Sequence, residues 1–205
     1  MAFEKEGTLE VKGDSLYTKS WVPEGPIKAK LIFIHGFSDH LGRYGAFFSA
    51  LAARGIAVHG LDQRGWGRSV KKPADMGLTG PTTQVLADMA AFHHTPPPRL
   101  PLRPAPGLLD RTAALASGQV RPLPGGALRS LWIGHGTEDK TTWYEASRKY
   151  FDEYTGEVQD KEFKAYQGWY HQLHDDGPDS KEFYKDVGDW ILARCEDEGK
   201  GGPKL

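Results

Sequence analysis

Three short stretches hold residue types that acyl transfer needs. Gly136-Thr137-Glu138-Asp139 follows the apolar run Leu131-Trp132-Ile133. Gly168-Trp169-Tyr170-His171 follows a run that ends at Tyr166. A third run, Leu31-Ile32-Phe33-Ile34, stops abruptly at His35-Gly36-Phe37. A carboxylate that holds one nitrogen of an imidazole leaves the other nitrogen as a general base, and such a base needs a nucleophile and N–H donors for an oxyanion. From the residues alone, Asp139 serves equally as that carboxylate or as the closer of a turn and cap of the next helix. His171-x-x-His174-Asp175-Asp176 also has the composition of a metal site. Two histidines three apart in a loop, with no further cluster of ligands, are a weak pattern, so neither metal nor cofactor is expected.

These residues need elements to hold them. The run at Leu31 reads as a strand buried on both faces, and Ile56-Ala57-Val58-His59-Gly60-Leu61-Asp62 repeats the pattern about twenty-five residues later. Between them Tyr44 to Arg54 sets Phe47, Phe48 and Leu51 on one side of a helix that Gly55 ends. Ahead of them, Thr8–Val11 and Ser15–Val22 form a hairpin joined at Gly13-Asp14. After Leu61, a helix starts at Thr82 or Thr83. Later come a strand at Leu131, a helix from Thr142 to Tyr154 and a strand from Glu162 to Tyr166. The last helix, Lys181 to Arg194, opens on an Asp179/Glu182 capping box. Alternation of this kind makes an α/β fold, one mostly parallel sheet with helices on both faces and an antiparallel edge. Asp139 and His171, each directly after a strand, then meet at the C-terminal edge of that sheet, where open α/β sheets bind ligands.

His35-Gly36-Phe37 after a strand, Arg43-Tyr44 opening a helix, and Asp62-Gln63-Arg64-Gly65-Trp66-Gly67-Arg68-Ser69 after the next strand resemble the α/β-hydrolase superfamily. The likeness is to its monoacylglycerol lipase and lysophospholipase branch of serine aminopeptidase-type hydrolases, and runs from about Leu16 to Ala193. The resemblance implies a triad acid at Asp139, a triad base at His171, and one oxyanion donor at the backbone N–H of Phe37. It implies supporting parts for His35, Gly36, His40, Asp62, Arg64, Gly65, Gly67 and Ser69, with His35 hydrogen-bonding beneath the sheet edge rather than acting as a base. It implies an acyl-ester or monoacylglycerol substrate, and contact with membrane or lipid-droplet surfaces.

The nucleophile is the departure. The family's elbow is Gly-x-Ser-x-Gly between a strand and a helix, and no such pentapeptide occurs in the 205 residues. Where the elbow strand belongs, after the helix at Thr83, the chain runs Thr95-Pro-Pro-Pro-Arg-Leu-Pro-Leu-Arg-Pro-Ala-Pro-Gly107, a density of proline that neither helix nor central strand survives. The missing elbow unit, cap and further strand amount to roughly 100 residues at 30 or more per βα unit. The expectation is one incomplete domain over 1–205, a Pro-rich junction at 95–107 and a loose tail at 196–205. Loss of a central strand leaves the edge at Leu31 open, where each large side chain returned to water forfeits roughly 1.5–3 kcal/mol.

An alternative is a non-catalytic binding protein. It would use a residual lipid site, or Pro98-Arg99-Leu100-Pro101-Leu102-Arg103, which fits the Pro-x-x-Pro-x-Arg form that SH3-type domains accept in a weak contact. A formal charge of −1 gives no basic field for nucleic acid. The single cysteine, Cys195, excludes an intrachain disulfide and agrees with a cytoplasmic, reducing setting. No transmembrane segment or signal peptide is expected, because no apolar run has the length of a membrane span and Met1–Glu6 has no apolar core.

Overall fold

The computed structural model describes residues 2–93, 113–126 and 128–198. The chain divides into two compact units, one formed by Met1–Pro104 and Tyr184–Leu205, the other by Ala105–Phe183. The Pro-rich junction, with the SH3-type motif at 98–103, lies outside the described residues.

In the first unit, β1 (Ala2–Val11) and β2 (Asp14–Pro23) form a hairpin in which Val11 faces Asp14 across a two-residue turn. β3 (Ala29–Ile34) and β4 (Ile56–Leu61) pair in parallel, and β4 pairs antiparallel with β2, giving the order β1-β2-β4-β3. β4 is the strand buried on both faces, with Ile56, Ala57, Val58 and Leu61 all inaccessible. β3 is not so enclosed, contrary to the reading of its apolar run but in keeping with the open edge that loss of the elbow strand leaves. It stands at the edge of this sheet, and Ile32 is 37% exposed. Among the described residues no strand pairs with its outer edge, and none of Leu31, Ile32, Phe33 and Ile34 is fully buried.

α1 (Gly45–Ala53) covers the sheet and buries Phe47, Phe48, Leu51 and Ala52, the one-sided stripe expected of it. Phe48 is the hub, with its ring 4.6 Å from Trp21 of β2 and 4.7 Å from Phe33 of β3. Gly60 lies under the turn that precedes α1, with the Leu41 Cδ2 where a side chain would otherwise stand, 2.5 Å from an ideal Cβ. α2 (Thr82–His93) follows, and buries Val85, Asp88 and Ala90.

In the second unit, β5 (Ser130–Gly136) and β6 (Asp160–Tyr166) pair in parallel with Ser130 opposite Asp160 and Gly136 opposite Tyr166. The segment between them carries α3 (Tyr144–Tyr154), as a parallel crossover requires. The rings of Tyr144, Phe151 and Phe163 form its core, Phe163 lying 5.8 and 5.5 Å from the other two. Lys161 bonds the Phe151 carbonyl at 3.2 Å near the end of α3, placing a cation where the helix dipole favours one. α4 (Ser180–Glu198) begins in this unit and continues in the first. Its start is capped by Asp179, which accepts from the Lys181 N–H at 3.1 Å. Glu182 does not complete the expected box, because its carboxylate pairs with Lys164.

Among the described residues the strands form two separately hydrogen-bonded sheets, one in each unit, where a single sheet was expected. No helix among the described residues is long and apolar enough to cross a membrane.

Phe48 carries the core of the first unit. Phe48→Ala is expected to lower unfolding stability by about 3–5 kcal/mol, whereas Phe3→Ala, at a ring 63% exposed, changes it by less than about 0.5 kcal/mol. Urea unfolding followed by tryptophan fluorescence checks both.

Candidate active site

The turn after β5 and the turn after β6 are tied together by backbone. The Thr137 N–H donates to the Tyr166 carbonyl at 3.0 Å, and the Glu138 N–H to the Trp169 carbonyl at 2.9 Å. Residues 169–170 pass so closely over Gly136 that any Cβ there would collide with their carbonyl oxygens. That approach requires glycine, and it sets residue 171 over the end of β5. His171 then reaches Asp139, its Nδ1 donating to Oδ2 at 2.8 Å.

Asp139 is enclosed. Its side chain is 3% exposed against 38% for His171. Oδ1 accepts from the N–H groups of Thr141 and Thr142, at 2.7 and 2.9 Å. Oδ2 accepts from the Thr142 hydroxyl at 2.6 Å as well as from His171. Burial alone raises the Asp139 pKa. The hydrogen bonds from Thr142, His171 and the two backbone amides outweigh it and hold the carboxyl well below the usual carboxylate range. An ionised, fixed carboxylate keeps the proton of a neutral His171 on Nδ1, so Nε2 presents its lone pair. An imidazole held in this way is able to act as a general base. The helix-capping alternative for Asp139 is also realised in part, since the same carboxylate closes the turn at Thr141-Thr142.

Two residues of this cluster escaped the sequence reading. Thr142 supplies a hydroxyl and an N–H to Asp139. His135 lies buried on β5 with Nε2 3.0 Å from Asp139 Oδ2. The four-residue spacing His135-x-x-x-Asp139 was visible, but an apolar strand run gives no reason to read its histidine as anything other than a core residue. His174 is buried. Among the described residues no three His, Cys, Asp or Glu side chains are placed to hold a metal ion.

The remaining candidates lie in the first unit and form a framework. His35 is buried, with its Nδ1 donating to the Gly36 carbonyl and its Nε2 accepting from the Gln63 N–H, both at 2.8 Å. Burial lowers its pKa against the pull of the Gly36 carbonyl, and with both nitrogens engaged it is a brace between two loops, not a base. His40 caps the turn at Leu41 by accepting from the Gly42 N–H at 3.1 Å. Asp62, 1% exposed, accepts from the N–H groups of Leu41 and Arg68, each at 2.7 Å. Ser69 donates its hydroxyl to the Asp62 carbonyl and accepts from the Tyr17 N–H at 2.9 Å. Gly65 and Gly67 turn the chain between them, and Gly65 accepts from the Gly77 N–H at 2.8 Å. Arg64 grips Asp88 of α2 at 2.9 and 3.2 Å and Asp14 of the hairpin at 2.9 Å. Phe37 is 60% exposed with its ring edge-on to Trp66 at 5.0 Å, and the next residue, Ser38, has a left-handed backbone, with φ 57°.

Residues 25–104 match a family described as serine aminopeptidase, S33, a stretch that includes His35 to Phe37 and Asp62 to Ser69 and ends before Asp139. A provisionally named monoglyceride lipase of Schizosaccharomyces pombe is 46% identical over 77 residues, 36% of this chain and 20% of that protein. A monoacylglycerol lipase of Mycolicibacterium smegmatis is 32% identical over 85 residues, 40% of this chain and 30% of that protein. The chain thus matches less than a third of the length of either relative. A solved structure, a soluble variant of monoglyceride lipase from Saccharomyces cerevisiae in complex with a substrate analog, superposes with a TM-score of 0.78 at 14% identity, covering 95% of this chain and 97% of that one. The chain has the α/β-hydrolase fold. The superposition shows the fold, and the similarity to the serine aminopeptidase, S33 family extends over residues 25–104.

The depressed Asp139 pKa has a sign. A carboxyl whose folded pKa lies below its unfolded value stabilises the fold fully above about pH 4, the unperturbed value, and that contribution is lost as pH falls further. Asp139→Asn is therefore expected to unfold at lower urea than the parent at pH 7, with the gap narrowing from pH 4 to pH 2. Urea midpoints at four pH values measure this.

Proposed function

We propose that this site is the acid–base half of a serine hydrolase for acyl esters of lipids, of the monoacylglycerol type, and that the present chain does not carry the reaction through. The observation that carries this reading is the 2.8 Å contact from His171 Nδ1 to a buried carboxylate, on a histidine side chain that is itself 38% exposed. In a complete enzyme His171 Nε2 takes the proton of a serine hydroxyl as its oxygen attacks the ester carbonyl. The oxyanion is held by backbone N–H groups, one of them the N–H after the nucleophile. The C–O bond then breaks, His171 returns the proton to the leaving alcohol, and water repeats the sequence on the acyl-enzyme. Asp139 stays ionised throughout and fixes the tautomer. The names of the two sequence relatives favour a monoacylglycerol as the ester.

Nine serines occur in the chain, and none stands in Gly-x-Ser-x-Gly. The second oxyanion donor belongs to the same absent segment, and loss of one donor alone typically lowers kcat by about 10²–10³. Purified chain is expected to remain unlabelled by a fluorophosphonate probe and to hydrolyse p-nitrophenyl esters no faster than its histidines do. Insertion of a strand–Gly-x-Ser-x-Gly–helix segment with its cap between His94 and Leu108 is expected to restore turnover, which His171→Ala then abolishes. Stoichiometric labelling of any serine in the unmodified chain overturns the reading.

A further inference from the structure

Resting on the reading of Asp139 and His171 as acid and base, we propose that His135 is a positioning residue of the pair, a second imidazole set against the carboxylate oxygen that holds His171 and dividing that oxygen's charge between two rings. His135 Nε2 lies 3.0 Å from Asp139 Oδ2 and 3.2 Å from the Thr142 carbonyl oxygen, with its N–H directed at the carbonyl. Two oxygens at these distances exclude a lone pair on Nε2, which both would repel, so Nε2 carries the proton. The nitrogen that carries this proton lies 3.0 Å from a carboxylate oxygen already engaged by His171 at 2.8 Å and by the Thr142 hydroxyl at 2.6 Å.

The ring has little freedom. It is buried on β5 and stands edge-on to Tyr144 at 5.7 Å, while Tyr144 in turn packs on Phe163 of β6. It also touches the carboxylate indirectly, because the Thr142 whose carbonyl it binds supplies an N–H and an O–H to Asp139. Among the described residues, Asp139 is the one charged side chain in hydrogen-bond or ion-pair contact with either imidazole. A shared oxygen is a weaker acceptor for each donor.

A mere packing role for His135 predicts the opposite response to its loss. A loosened turn would weaken the contact between Asp139 and His171, and His171 would fall towards the affinity of a free histidine. Sharing predicts a rise. NMR titration of the histidine rings in the full chain separates the two. His135→Phe is expected to raise the His171 midpoint by about half a unit, roughly threefold tighter proton binding. His135→Gln, whose amide N–H reaches the same oxygens, is expected to leave it near the parent value. Asp139→Asn is expected to lower it. No rise, or a fall, in His135→Phe while Asp139→Asn still lowers the midpoint overturns the sharing role and leaves the acid–base pair standing. An unchanged midpoint in Asp139→Asn removes the pair itself, and the proposal with it. The parent chain supplies a check that needs no variant: the ring nitrogens of neutral His135 must show the proton on Nε2, and a proton on Nδ1 refutes the assignment.

Discussion

A carboxylate withdrawn from water must be surrounded by donors, and in this chain the demand of Asp62 organises the first unit. Leaving such a group unsatisfied costs more than an ordinary hydrogen bond contributes, so the chain around it has few arrangements open to it. One oxygen of Asp62 takes the N–H that opens the turn before α1, and the other takes the N–H of Arg68 beyond β4. Two loops at the same end of the sheet are thus fixed to one side chain. The backbone of Asp62 extends the network to β2, donating to the Tyr17 carbonyl at 2.9 Å while its own carbonyl receives the Ser69 hydroxyl. His35 completes the frame by holding the loop after β3 to Gln63.

Asp139 follows the same rule with one addition. Its two backbone donors come from the following turn, as they would in a purely structural carboxylate. The Thr142 hydroxyl is a third internal donor, and His171, whose ring is 38% exposed, is added to these. The turn-closing and base-orienting readings of Asp139 were hard to separate from residue types alone because a carboxylate with two oxygens can accept from both kinds of partner.

The parts legible in the sequence are those written in local spacing. Phe47, Phe48 and Leu51 announced the buried face of α1, and Asp139 and His171 each followed a recognisable strand. The position of His35 beneath the sheet edge was implied by the family likeness. What was not legible depends on partners distant in the chain. Arg64 joins Asp14 and Asp88 from opposite directions, 50 residues before it and 24 after it, and no periodicity encodes such a meeting. The burial of β3 was overestimated because an apolar run states what a strand prefers, whereas its place in the strand order decides what it receives. Glu182 was read as half of a capping box, but Lys164 on β6 offered it a full charge. His135 was passed over because buried histidines on strands are commonly inert, and only the geometry at Asp139 distinguishes this one.

Gly60 has a wider reach than its size suggests. The Leu41 side chain fills the room that a methyl group would need. A single added carbon would drive the end of that side chain into another position, so the way Leu41 packs down on β4 is set by an absence of atoms in the middle of a strand.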